Sequence, residues 1–508
     1  MKILKSTFLL LSTFIFSQVP TIDWQKTFGG SEDDYGYALL ATSDNYLIVG
    51  GQTSSSDGTI TENLGGWDAW LIKYDADGNE IWKNAYGGSD WDVIWNIKET
   101  LDGNYIFFAI SGSVDGDIEN NLGETDFWIV KINTDGEIIW KKNYGGSGLE
   151  DGGEVLSTSD NGYILIGSSS SNDGNFPDGN GDFDYAIIKI DGTGEVEWSK
   201  SFGGSELDMA LNGIVDEEDN ILVTGFSYSS DGDFNENRGS GDIWVLKLNP
   251  EGNLMWKKNI GGSAYEQSYC IQQIVNGNYL VGINSSSDDI DFDENYGGSD
   301  VWLFELNTGG EILNKKHYGG SLSEVPMEMD ELPNGDLVIA GTTYSSNGDI
   351  SQNHGNGDFW FVKLNQEGEI LWEKNYGGSQ LDRLWRMVKF DNGYAAIGEI
   401  ESNDNDVTNN HGGFDFWTLK LNPENLGINE NIFTDLNIYP NPTSGKIYFQ
   451  TRDMIDLIEL YDSSGKFINK FTKDEFLNGV DISNLISGTY ILKTKIKGKV
   501  YTKKIIKN

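Results

Sequence analysis

A single cysteine, Cys270, excludes any disulfide within this 508-residue chain, so packing and hydrogen bonding must hold it together. Prolines number 8 and histidines only 3, namely His317, His354 and His411. The histidines form no zinc-binding pair at helical spacing, and neither a nucleophile elbow nor a phosphate-binding loop occurs. Catalysis therefore has little support, although so many carboxylates leave a glycosidase-type pair open. Positive charge is also scarce: 35 basic against 80 acidic residues give a formal net charge of −45. Such a chain repels nucleic acid and anionic membrane surfaces and attracts cations. Beyond Phe16 no apolar run is long enough to cross a bilayer, so no transmembrane segment is expected.

Glycine is plentiful (64) and aromatic residues reach 12%, a mixture suited to short strands joined by tight turns. At the start, Lys2 and Lys5 precede the apolar run Phe8 to Phe16, which has the length of a signal-peptide core. Residues 1–18 are read as a signal peptide, and the chain as exported.

Self-similarity organises most of the remaining chain. An aromatic or apolar residue followed by Gly-Gly-Ser recurs at Phe28, Tyr86, Tyr144, Phe202, Ile260, Tyr318 and Tyr376, a period of 58 residues. A tryptophan stands four residues before each (Trp24, Trp82, Trp140, Trp198, Trp256, Trp372), with Asn314 the one departure. Each repeat reads as four short strands. A first run such as Val93 to Ile97 ends at a turn, a second such as Tyr105 to Ile110 comes next, and a long Ser/Asp/Gly/Asn loop leads to a third of the form Asp-x-Trp-x-x-Lys. A short turn such as Asp77-Gly78 then opens the fourth run, which carries the periodic tryptophan.

Four antiparallel strands used seven times predict an all-β, seven-bladed β-propeller over residues 19–422. The seventh repeat stops after its third strand, and the missing fourth is found at the other end, Ile22 to Phe28. The N-terminal strand is therefore expected to complete the last blade and close the ring. With this connectivity the Gly-Gly-Ser segments and the long acidic loops share one face, and a partner is expected to use that face.

The strands Trp-x-Lys-x-Tyr-Gly-Gly-Ser and Asp-x-Trp-x-x-Lys resemble those of bacterial seven-bladed propeller repeat proteins. Asp75-x-x-Gly78-x-x-x-Trp82 is also similar to the tryptophan-docking repeats of quinoprotein propellers, whose quinone cofactor is not carried over. After a linker at 423–434, residues 435–508 change character, and lysine rises. The segments Asn437 to Lys446, Glu459 to Lys466, Asp481 to Leu492 and Tyr501 to Ile506 resemble the type A sorting domain of the type IX secretion system. The resemblance implies a small Ig-like β-sandwich read by that secretion machinery. It also implies delivery to the surface of a Gram-negative bacterium or beyond, with the tag removed there.

Two acidic sets are candidate cation sites. The third residue after each Gly-Gly-Ser serine is acidic in every repeat: Asp34, Asp92, Glu150, Asp208, Glu266, Glu324 and Asp382. At the start of the innermost strands these would ring one mouth of the central channel, as oxygen ligands for a hard cation such as calcium. Equally, each could accept backbone N–H bonds and fix a blade junction. The second set lies in the long loops, with Asp115 and Asp117, and Asp231 and Asp233, in a Ser-x-Asp-Gly-Asp pattern. It suggests part of a calcium loop, or simply turn chemistry.

The third-strand aromatics (Trp70, Trp128, Trp244, Trp302, Trp360 and Trp417, with Ala186 the exception) read as inter-blade packing or as sugar platforms. A unique site is expected where the repeat breaks: Trp91, Trp95, Glu305, Asn314, Arg383, Trp385 and Arg386. The chain reads as a non-catalytic binding module for glycan or protein, with an extracellular polysaccharide hydrolase or lyase as the alternative.

Overall fold

Second strands such as Tyr105–Ser111 and third strands such as Asp126–Ile132 are buried along their whole length. A strand apolar on both sides needs a neighbouring sheet on each face, which a ring of radially packed sheets supplies. Fourth strands such as Leu254–Ile260 begin exposed and end buried, which marks them as the outer edge.

The computed structural model describes residues 19–422 except 61–62 and, in the tail, residues 437–439, 443, 445–450, 455–462, 467–471, 479–496 and 499–508. The expected signal peptide (1–18) and linker (423–434) lie outside the described residues. Two compact units divide the chain, one spanning Val19–Pro423 and the other containing Glu424–Asn508.

Seven four-stranded antiparallel sheets make up the first unit. Blade 1 runs outward through Asp34–Ala41, Leu47–Thr53, Asp68–Tyr74 and Glu80–Tyr86. Blades 2 to 6 repeat this order, beginning at Asp92, Glu150, Asp208, Glu266 and Glu324. Blade 7 joins Asp382–Phe390, Gly393–Ile400 and Asp415–Leu421 to the N-terminal strand Ile22–Phe28, with Gln25 opposite Leu419 and Phe28 opposite Phe416. The expected closure is what the chain does. Tyr376 reinforces it by donating its hydroxyl to the Pro20 carbonyl at 2.6 Å.

Neighbouring blades are stitched by a repeated backbone bond. The first residue of each innermost strand donates its N–H to the carbonyl just before the third strand of the preceding blade. Asp92 bonds Trp67 at 2.8 Å and Asp208 bonds Phe183 at 2.8 Å; Asp34 makes the same bond to Phe414 at 2.6 Å across the closure.

The third-strand indoles of Trp70, Trp128, Trp360 and Trp417 are fully buried, which settles their role as inter-blade packing and removes them as sugar platforms. Apart from Trp372, which is buried, the fourth-strand tryptophans are half-buried. Trp24, Trp82, Trp198 and Trp256 donate Nε1–H to the carbonyls of Ala76 (3.0 Å), Thr134 (2.9 Å), Pro250 (3.1 Å) and Thr308 (2.9 Å).

In the tail, a three-stranded sheet (Asn437–Tyr439, Lys446–Gln450, Val480–Asp481) and a four-stranded one (Phe467–Phe471, Ile455–Asp462, Gly488–Ile496, Lys499–Lys507) share a core that includes Ile447, Leu460, Val480 and Leu492. This two-sheet arrangement agrees with the Ig-like sandwich expected there.

Candidate functional site

All seven first-strand acids are buried, and each is held in the same cradle. The second glycine of each Gly-Gly-Ser donates its N–H to the carboxylate: Gly30 to Asp34 (2.8 Å), Gly88 to Asp92 (2.7 Å), Gly146 to Glu150 (3.3 Å), Gly204 to Asp208 (2.6 Å), Gly262 to Glu266 (2.9 Å), Gly320 to Glu324 (2.8 Å) and Gly378 to Asp382 (2.7 Å). Hydroxyls at the end of the second strand add further donors, as Ser169 (2.7 Å) and Ser171 (2.6 Å) do for Glu150. The acids thus stand one per junction, each bound to the Gly-Gly-Ser segment that arrives from the preceding blade, with hydroxyls of its own blade adding to the cradle.

A second acidic ring, visible in the sequence only as the start of the tryptophan strand, faces the first. Each third-strand aspartate accepts the N–H of the residue four positions earlier, as Asp126 does from Leu122 and Asp300 from Tyr296, both at 2.6 Å. All three histidines bind this ring: His317 Nε2 lies 2.8 Å from Asp300, His354 Nδ1 3.0 Å from Asp358 and His411 Nδ1 2.9 Å from Asp415. Recurrence of the aspartate in every repeat was the signal that could have found the ring.

The two rings meet over the first glycine of Gly-Gly-Ser. A Cβ on Gly203 would lie 1.9 Å from Asp184 Oδ1 and 2.7 Å from Asp208 Oδ2, so only glycine fits beneath the pair. Burial, with the neighbouring carboxylate adding to it, pushes Asp34, Asp92, Asp208 and Asp382 up to about 6, against the opposing hydrogen bonds. Asp126 rises to about 7 for the same first reason, with Glu150 beside it.

The long-loop acids clamp the Gly-Gly-Ser segment from the other side. Asp115 accepts the Ser89 N–H at 2.8 Å and Asp117 the Gly87 N–H at 3.4 Å; Asp231 and Asp233 do the same for Ser205 (2.8 Å) and Gly203 (3.4 Å). The segment and the loop therefore share a face, as the topology required. Among the described residues no three Asp, Glu, His or Cys side chains gather in a metal-binding group.

Three of the residues that break the repeat, Trp95, Trp385 and Arg386, come together in the central channel. Each innermost strand slips register once, with the slip falling between Ile94 and Asn96 in blade 2 and between Leu384 and Arg386 in blade 7. The bulged residue points inward. Tyr37, Trp95, Gly153, Leu211, Tyr269, Met327 and Trp385, one from each blade, line a cavity of about 190 Å³. Tyr37 stacks on Trp95 at 4.5 Å and meets Trp385 edge-on at 5.1 Å, so the three rings form one packed aromatic cluster at the cavity wall. Arg386 spans the channel to Glu154 and to Glu328 (3.2 Å), and Asn212 donates to Glu154 at 3.2 Å. Glu399, buried, takes Arg383 at 2.7 Å and the Trp385 indole N–H at 2.9 Å, which orients that ring. Of the other departures, Trp91 bonds Gln52 at 2.6 Å at the blade 1–2 junction, and Glu305 and Asn314 lie on the opposite face.

Fold and junctions define a closed seven-bladed propeller with an acidic body. Residues 437–508 match the family model of the secretion system C-terminal sorting domain, so this is a propeller exported by the type IX route to the cell surface or the extracellular space of a Gram-negative bacterium. No curated protein matches the chain in sequence. Among solved structures it is similar to a protein of unknown function from Bacteroides caccae (14% identity, TM-score 0.35, covering 62% of this chain and 92% of that one). It is also similar to the Neurospora crassa Pan2 WD40 domain (10%, TM-score 0.40, 77% and 89%) and to puromycin hydrolase (8%, TM-score 0.44, 91% and 59%). No helix among the described residues is long and apolar enough to cross a membrane.

Proposed function

We propose that the exported ring is a non-catalytic binding module whose ligand, an extracellular glycan in preference to a protein, enters the central channel from the long-loop face. One observation carries this reading. The bulged positions, free of the repeat's constraints, place a cluster of aromatic side chains (Tyr37, Trp95, Trp385) beside a cavity that Gly152 and Gly153 also line. Apolar ring faces beside a few convergent polar groups are what a small ligand site needs, and a sugar ring offers both C–H faces and hydroxyls. Asp151 and Met209 also line the cavity, and both precede the bulge, towards the long-loop end of their strands.

The acids of both sequence-derived sets act, in this reading, as latches between blades and not as cation ligands, because each already accepts a backbone N–H of the Gly-Gly-Ser segment that joins two blades. A glycan array probed with the full chain tests the proposal. A bound glycan whose signal falls at least tenfold in Trp385→Ala is expected. Binding that survives this substitution, or release of reducing ends from the bound glycan, would overturn it.

A further inference from the structure

Blade 5 lacks its fourth-strand tryptophan, and a second departure coincides with it. Asn314 stands where the other fourth strands carry an indole, and Glu305 replaces the third-strand lysine; across the junction, Leu337 of blade 6 is aliphatic, as Leu47 and Ile221 are in blades 1 and 4, where blades 2, 3 and 5 carry Tyr105, Tyr163 and Tyr279. At three other junctions that lysine reaches the tyrosine of the next blade, Lys73 to Tyr105 at 3.0 Å, Lys131 to Tyr163 at 3.5 Å and Lys247 to Tyr279 at 2.6 Å. Glu305 instead is held on its own blade by Asn276 (3.2 Å) and Asn278 (2.7 Å).

The result is a groove between blades 5 and 6 of about 490 Å³, where the equivalent grooves between blades 2 and 3 and between blades 3 and 4 enclose about 220 and 230 Å³. Its floor is Leu303, Leu337 and Leu364, and its rim includes Glu305, Asn314 and Gln366.

The molecule itself shows what such a groove takes. At four other junctions an indole lies on it, with Nε1–H on the carbonyl 52 residues further along the chain. The same step from Asn314 arrives at Gln366. Beneath the indoles of Trp24, Trp198 and Trp256 sit Gly78, Gly252 and Gly310, all with positive φ; Gly368, at φ 80°, holds that place in the blade 5–6 groove. Over Gly368 lie the flexible Lys316 stem and the Tyr318 hydroxyl, so acceptor, glycine floor and apolar wall are present with no ring seated on them.

We propose that this groove seats the indole of a tryptophan presented by another polypeptide. Glu305 and Glu331 on its walls outnumber the one cation there, Lys316, and with the chain's net charge of −45 they favour a tryptophan flanked by basic residues. The site lies on the short-hairpin face and does not depend on the channel reading.

The test titrates a capped Lys-Trp-Lys tripeptide into the full chain by calorimetry, with capped Lys-Leu-Lys and simple methyl glycosides as the other arms. One site for the tryptophan peptide, unaffected by Trp385→Ala, is expected. Asn314→Trp fills the groove from within, so it should raise the melting temperature and weaken binding more than about tenfold. Should that variant misfold, Glu305→Lys restores the lysine that the other blades carry and reverses the charge of the groove wall, so it should weaken binding of the dibasic peptide. No binding of the tryptophan peptide, equal binding of the leucine peptide, binding of the glycosides in its place, or undiminished binding by folded Asn314→Trp or by Glu305→Lys would each overturn the proposal.

Discussion

Asp208→Asn should make the ring's stability less sensitive to pH, and the size of the effect is set by the junction. Asp208 is buried, accepts Gly204 N–H at 2.6 Å and Ser229 hydroxyl at 2.9 Å, and faces Asp184 over Gly203. Burial, with Asp184 adding to it, pushes its carboxyl from 3.8 to about 6. Below 3.8 both folded and unfolded chains hold the proton. Between 3.8 and about 6 only the folded chain does, so stability falls as pH rises through that window, and the whole penalty is present above it. A gap of about two pH units corresponds to about 3 kcal/mol, of which about 1.4 kcal/mol falls between about pH 5 and pH 7.5.

Urea unfolding of both proteins at those two pH values measures this directly. Raising the pH should destabilise the natural chain more than Asp208→Asn by about 1 kcal/mol, the charge having been removed in the variant. General repulsion in a chain of net charge −45 acts on both proteins alike and cancels in the comparison. A difference between the two proteins that does not change with pH, or that changes in the opposite direction, would refute the buried-pair account. Below about pH 4 the trend should reverse, because Asp160, held down to about 2 by hydrogen bonds to Thr158 and Gly162 and by Lys189, contributes stability that is lost as its carboxylate protonates.

Other contacts carry their own expected outcomes. Gly203→Ala places a methyl against both junction carboxylates and should cost about 1–3 kcal/mol in urea unfolding, whereas Gly309→Ala, whose Cβ would approach only Asn307, should be near neutral. Lys247→Met leaves Asp216, fully buried and 2.9 Å from the lysine, without its cation, and should cost about 3–5 kcal/mol; a loss under about 1 kcal/mol would show that the pair is dispensable. Chelator should leave the melting temperature unchanged, since the acids of both sets bind backbone and hydroxyl donors; a calcium-dependent rise would restore the cation reading.

Much of the ring was legible because a repeat repeats its errors as well as its contacts. The 58-residue period, the tryptophan before Gly-Gly-Ser and the strand missing from the last repeat gave blade number, strand order and closure. The role of the acids was ambiguous for a physical reason: a carboxylate beside Gly-Gly-Ser looks alike whether it will bind calcium or backbone N–H, and only burial and donor geometry separate the two. The facing aspartates, Asp68 to Asp415, were overlooked because the tryptophan two residues on is the more conspicuous member of the strand. The channel was least readable. Tyr37, Trp95, Leu211, Tyr269 and Met327 share a bulge but no residue type, so no pattern links them until the strands are placed side by side. Asn314 and Glu305 did stand out as departures, but the groove they open depends on Leu337 from the next blade.

Removing Thr21 to Phe28 tests the closed circle most directly, because it deletes the one strand that blade 7 takes from the far end of the chain. Sedimentation and thermal unfolding of the truncated protein should show either loss of the cooperative transition or self-association through the exposed edge of Asp415–Leu421. A truncated chain that stays monomeric and melts with the full-length protein would contradict the account.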